Sequence, residues 1–186
     1  MKRLKPGEKA PDFEVTDLNS DTVRLVTHRE SRVLLSFFRY ATCPFCTVRF
    51  ARLSQEAARL AEQGVNIIVV FESERDYLRS YLGSRPLPFP VIPDPEGHLY
   101  ASYGLQKSVL GMMLGMFRLP TLMKALLDPQ YQMARPDASV LRLPADFLID
   151  KDGTVVESHY GRDIGDHIAF DHLEAFAVQP AQEAIQ

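Results

Sequence analysis

The chain has 186 residues, of which 46% are hydrophobic and 24% charged, with a net charge of −3. These values suit one globular domain, 1–186, with a single core. No basic field favours nucleic acid or a membrane surface, so neither is expected as a partner. The basic start, Met1 to Gly7, leads into no apolar segment; a secretory signal is not expected, and a cytoplasmic location with reduced thiols is the default.

Residues 11–16 and 22–25 alternate around the turn cluster Asn19-Ser20-Asp21 and predict a β-hairpin. Val33 to Phe38 is an apolar run that predicts a central strand covered on both faces. Cys43-Pro44-Phe45-Cys46 follows, and it holds both cysteines of the chain. A helix is predicted next, with Phe50, Leu53, Ala57 and Leu60 on one face and a stop at Gly64. Val65 to Phe71 completes a βαβ unit, so its two strands should be parallel. Ser73 is the expected N-cap of a helix reaching Leu82-Gly83.

Five prolines between Pro86 and Pro95 mark an extended loop with a short strand near Val91-Ile92, and Glu96 to Tyr103 predicts a short helix. Val109 to Leu127 is long and apolar, but Arg118, Pro120 and Lys124 interrupt it. It is read as two helices broken near Leu119-Pro120, not as a membrane span. A loop from Asp128 to Val140 follows. Met112, Met113, Met116, Met123 and Met133 cluster in this part, which is read as packing or an interface, including a homodimer contact. Ala145 to Ile149 predicts a strand, and Asp152-Gly153 turns it into a hairpin with 154–158. The final helix is expected over 166–177, with Ile168, His172 and Phe176 on one face, and the tail from Gln179 is expected to be mobile.

A C-x-x-C at a strand-to-helix junction points to dithiol redox chemistry. Free cysteine has a pKa near ~8.5, and a helix N-terminus lowers it by directing N–H groups at the sulfur. Cys43 is the N-cap-like and more exposed thiol, and Cys46 lies inside the first turn. Pro44 suits the first turn, where its missing N–H has no partner to lose. Thr42 and Phe45 border the sulfurs, and Arg39 and Arg49 flank them as stabilisers of a thiolate. Cys43 attacks a substrate disulfide, and Cys46 resolves the mixed disulfide. Glu72, at the end of the second strand, is either a proton relay for Cys46 or a solvated carboxylate.

Two plainer readings remain. Half a zinc site would need ligands from His28, His98, His159, His167 or His172, whose spacing matches no finger. Inert buried thiols are the other. No metal and no cofactor is expected, and His159, His167 and His172 are read as surface residues.

Gly7-Glu8-Lys9-Ala10-Pro11-Asp12-Phe13, Phe37-Phe38, residues 89–97, Tyr103-Gly104-Leu105 and residues 143–153 together resemble the alkyl hydroperoxide reductase/thiol-specific antioxidant (peroxiredoxin-like) branch of the thioredoxin-like superfamily. The resemblance covers most of 6–177 and leaves about 106–142 as a Met-rich helical insertion. It implies an α/β fold, thioredoxin-like, with a central mixed sheet flanked by helices. It also implies a cis-proline at Pro144, presented to the bound partner. The family's Pro-x-x-x-Thr/Ser-x-x-Cys pattern would set Cys46 as peroxidatic, but Arg39 then replaces the proline and Cys43 the threonine. The family's peroxide-polarising arginine falls near Pro144, with Arg142 two residues away. The expected activity is thiol–disulfide exchange on protein or small-molecule disulfides, with a cellular thiol as reductant. The alternatives are an antioxidant peroxidase reducing hydroperoxides at Cys46, and a redox-sensing binding module.

Overall fold

The computed structural model describes residues 2–28, 31–83, 86–127 and 134–178. Strands β1 (Glu14–Thr16) and β2 (Thr22–Arg24) form the expected antiparallel hairpin. Its turn is held by Asp17, whose carboxylate accepts the N–H groups of Asn19 and Asp21.

Five strands make the main sheet: β3 (Arg32–Phe37), β4 (Val65–Phe71), β5 (Val91–Pro93), β6 (Ala145–Ile149) and β7 (Val155–Tyr160), in the order β5-β4-β3-β6-β7. β4 runs parallel to β3 and β5, while β6 is antiparallel to β3 and β7. The sheet is therefore mixed. Every residue of β3 is buried, because alternate side chains enter two cores. Leu34 joins Leu53, Leu60 and Phe71 on one side, and Val33, Leu35 and Phe37 join Tyr100, Tyr103 and Phe147 on the other.

The helices are α1 (Pro44–Glu62), α2 (Arg75–Leu82), α3 (His98–Ser102), α4 (Val109–Met116), α5 (Leu119–Leu126) and α6 (Phe170–Val178). α1 buries Leu53, Ala57 and Leu60 and ends before Gly64, whose φ of 77° suits glycine. Ser73 is not the cap of α2. Glu74 takes that place, because the Ser73 hydroxyl is engaged, accepting the Ala41 N–H and donating to Asp137. α6 starts at Phe170, later than expected. Asp166 instead closes a turn on Arg162, and the Ile168 N–H goes to Asp146. His172 therefore lies outside, 3.0 Å from Glu157, while Ile168 and Phe176 are buried.

The break near Leu119 is present, and α5 lies against α1. Met112 packs on the core, whereas Met113, Met116 and Met123 are exposed, so they are not plain core. Met133, the 128–133 part of the predicted loop, and the tail from Gln179 lie outside the described residues. No helix among the described residues is long and apolar enough to cross a membrane.

Pro144 departs from expectation. The Leu143–Pro144 bond is trans, as no cis peptide occurs among the described residues. Trans is the intrinsically favoured form of an X–Pro bond. Here the flanking chain is held by the Gly161 N–H donated to the Pro144 carbonyl and by Arg39 on the Arg142 carbonyl.

Candidate active site

β3 ends at Phe37, and the chain passes through Arg39 and Tyr40 before Cys43 caps α1. Cys43 has extended backbone, φ −71° and ψ 118°, and Pro44 occupies the first turn. This is the junction predicted from the motif. Both cysteines are free thiols, and both are covered, at 0% and 1% exposure. Cys43 is therefore not the more exposed sulfur. Phe45 is also buried and packs on Gly165, where an added Cβ would meet its ring at 2.8 Å.

Arg39 organises the pair. Its Nη1 donates to Cys43 Sγ at 3.1 Å, and its backbone N–H approaches Cys46 Sγ at 3.4 Å. Its remaining donors hold the Arg142 carbonyl at 2.9 Å and the Val140 carbonyl. Burial opposes a thiolate at Cys43, but the Cys46 thiol, the Arg39 charge and the Cys46 N–H outweigh it and bring Cys43 down to about 6. Burial and the neighbouring Cys43 sulfur push Cys46 well up. The pair thus divides into a nucleophile and a protonated partner.

The other expected site residues are placed differently. Thr42 is buried, but its Oγ1 has no hydrogen-bond partner among the described residues, so nothing ties it to a sulfur. Arg49 does not flank the thiols; its guanidinium lies over the Phe170 ring, 4.4 Å from the centroid. Glu72 is not a solvated carboxylate. It is buried and gripped by Arg142 at 2.6 and 3.1 Å. Arg142, two residues from Pro144, is thus committed to Glu72. Pro144 is buried, but its bond is trans.

One feature of the site was missed from sequence. Asp146 is fully buried on β6 and accepts bonds from the Ser36 hydroxyl, the Ile168 N–H and His167 Nδ1, the last at 3.0 Å. His167 is consequently not a surface residue; its side chain is 5% exposed. Burial alone would raise Asp146, but His167, Arg49 and Ser36 hold it far below the usual carboxylate range. The signal was available: Ser36 and Asp146 are polar residues inside apolar strand runs, and they stand directly opposite in register.

Beside Cys46, a hollow of about 300 Å³ is lined by Ala41, Phe50, Phe71, Tyr81 and Leu87 among others. Among the described residues no three His, Cys, Asp or Glu side chains converge as a metal site.

Residues 6–158 match the model of the AhpC/TSA family. The chain belongs to that family. Among its relatives is Rv2521 of Mycobacterium tuberculosis, provisionally assigned as a peroxiredoxin. It is 24% identical over 169 residues, covering 90% of this chain and 92% of the relative. Thiol-disulfide oxidoreductase ResA of Bacillus cereus is 26% identical over 160 residues, covering 86% and 72%. Peroxiredoxin Bcp of Escherichia coli is 27% identical over 113 residues, covering 60% and 72%. The crystal structure of peroxidoxin BcpB from M. tuberculosis superposes with a TM-score of 0.68 at 18% identity, covering 96% of this chain and 100% of that one. These likenesses bear out the thioredoxin-like α/β fold and the AhpC/TSA membership. The related proteins named here are oxidoreductases of thiol chemistry, some acting in disulfide exchange and some as peroxiredoxins.

Proposed function

We propose that this member of the family is a thiol–disulfide oxidoreductase that cycles Cys43 and Cys46 between dithiol and disulfide. The observation that carries this reading is the division of the pair. Arg39 stabilises the thiolate at Cys43, while Cys46, the position a family peroxidase would use, is held protonated.

Cys43 thiolate attacks one sulfur of a disulfide R–S–S–R, forming Cys43–S–S–R and releasing RS⁻. As the negative charge leaves Cys43, the cause of the raised Cys46 pKa weakens, so Cys46 gives up its proton. Cys46 thiolate then attacks Cys43 Sγ, closes the protein disulfide and releases the second RS⁻. The balance is one substrate disulfide and two protein thiols converted into one protein disulfide and two RSH. A cellular thiol returns the protein to the dithiol. Because both sulfurs are covered, attack follows local opening. The chain from Val140 to Arg142 is tied to Arg39, which also holds Cys43, so a movement there is transmitted to the sulfur's charged partner.

Reduction of insulin disulfides with a thiol supply tests the reading. Cys43→Ser should abolish turnover, and Cys46→Ser should accumulate a mixed disulfide on Cys43, seen by intact mass. The competing reading is peroxidase action at Cys46. Stopped-flow mixing with hydroperoxide distinguishes the two: rapid sulfenate formation at Cys46, retained in Cys43→Ser, would overturn the dithiol assignment.

A further inference from the structure

The flank of α1 opposite the Cys46 hollow carries a second site. A pocket of about 470 Å³ lies between α1 and the chain entering α6, lined by Phe45, Arg49, Arg52, His167, Phe170 and Asp171 among others. Arg49 is 9% exposed, yet its Nε and Nη2 have no hydrogen-bond partner among the described residues. Arg52 stands over the same Phe170 ring, 3.8 Å from its centroid, so two guanidinium groups contact one aromatic ring. The nearby buried carboxylate, Asp146, is already taken by Ser36, His167 and the Ile168 N–H. The Asp146 charge offsets part of the cost of burying Arg49 but leaves its Nε and Nη2 donors unused beside a second guanidinium, an arrangement that a further acceptor would relieve.

His167 adds the complementary group. Ionised Asp146 accepts a hydrogen bond from Nδ1–H, and burial disfavours the charged ring, so Nε2 is left as a buried acceptor without a partner among the described residues. The exposed carboxylate Asp171 stands at the rim; its Oδ1 accepts the His172 N–H. Two fixed cations, one neutral acceptor and one rim carboxylate match the end of an amino acid or peptide, with its carboxylate beside its N–H donors. Phe45, between the two cysteines in sequence, forms part of the wall and places this pocket next to the dithiol.

We propose that this pocket is a substrate subsite, in which Arg49 and Arg52 hold a carboxylate and His167 Nε2 accepts an N–H of a small amino-acid or peptide disulfide exchanged at Cys43. This rests on the dithiol reading above, and the electron balance is the one given there.

Binding is measured first without chemistry. S-methylglutathione, whose sulfur is capped, should bind saturably to the wild type and to Cys43→Ser in isothermal titration. Arg52→Glu, at an exposed position and so little risk to folding, should weaken it by about tenfold or more, and Arg49→Gln should do likewise. The diester of the same peptide, lacking carboxylates, should bind no better to the wild type than to Arg52→Glu. In turnover, the ratio of kcat/KM for glutathione disulfide to that for hydroxyethyl disulfide should fall by about tenfold in Arg52→Glu. No saturable binding by the wild type, or equal binding by Arg52→Glu, would overturn the subsite. Turnover of both disulfides without charge selectivity would do the same and leave the dithiol reading standing. Binding without turnover of either disulfide would instead sink the dithiol reading.

Discussion

Arg39 is the residue on which the chemistry turns. It is 2% exposed, and it spends its guanidinium on one sulfur and two carbonyls. Replacing it with methionine keeps bulk but removes the charge that favours the Cys43 thiolate. An opposite charge at this range shifts a pKa by roughly 1–3 units. Thiolate absorbance during a pH titration should therefore show Cys43 rising from about 6 by at least ~1 unit, and Arg39→Lys should fall between. An unchanged titration in Arg39→Met would mean that the N–H and thiol contacts alone set the value. The pairing of Arg39 with a cysteine was legible because the two are four residues apart in one junction. Arg49 was misplaced by the same reasoning: three positions from Cys46 on a helix, it points along the other flank. Asp146 and His167 are 21 residues apart, and no local spacing joins them. Only a buried polar residue opposite Ser36 betrayed the pair.

At the scale of elements, the question is what holds the loop before β6 against Arg39. Arg142 links that loop to the end of β4 through Glu72, and both side chains are under a tenth exposed. Removing one partner of such a pair typically costs about 3–5 kcal/mol, because the other charge stays buried and unpaired. Glu72→Gln should lower the urea midpoint accordingly, while the pH profile of Cys46 in alkylation stays in place. A shifted profile would support the proton-relay role expected from its position. Helix α4 is seated by two small residues. An added Cβ on Gly111 would meet the Arg162 carbonyl at 2.8 Å, and on Gly115 would run into Ile164. Gly115→Ala should therefore destabilise the protein by about 1–3 kcal/mol through overpacking, read in the same unfolding experiment. Wild-type stability in Gly115→Ala would mean that Ile164 adjusts freely. The strands, the βαβ unit and the α4–α5 break were legible because hydrophobic period and proline mark them. Helix starts were less so: Ser73 spends its hydroxyl on Asp137, distant in sequence, and Asp166 turns back onto the Arg162 N–H before it instead of capping the residues after it.

For the whole molecule, the buried ionisable groups give the reduced protein a stability that depends on pH, and the sign of each can be worked out. Cys43 is depressed to about 6 from an ordinary 9.0. Below about 6 it is protonated in both states and contributes nothing; between 6 and 9 it ionises only in the folded state, so stability climbs and is fully present above 9. Cys46 is raised, so above its ordinary 9.0 the unfolded chain ionises first and stability falls. His167 is lowered by burial from 6.5, so as pH drops through that value the unfolded chain gains a proton that the folded one refuses. Asp146, held below its ordinary 3.8, loses its contribution only in stronger acid. Together these place the optimum of the reduced protein on the alkaline side of neutrality, in contrast to the pH 5–8 range common among proteins. Tm measured under reducing conditions should rise from pH 6 to 9 in the wild type and rise much less in Cys43→Ser. If the two proteins kept a constant Tm difference across that range, the Cys43 thiolate would not be coupled to folding. Arg39 would then have to be reassigned as an anchor for the Val140–Arg142 chain alone.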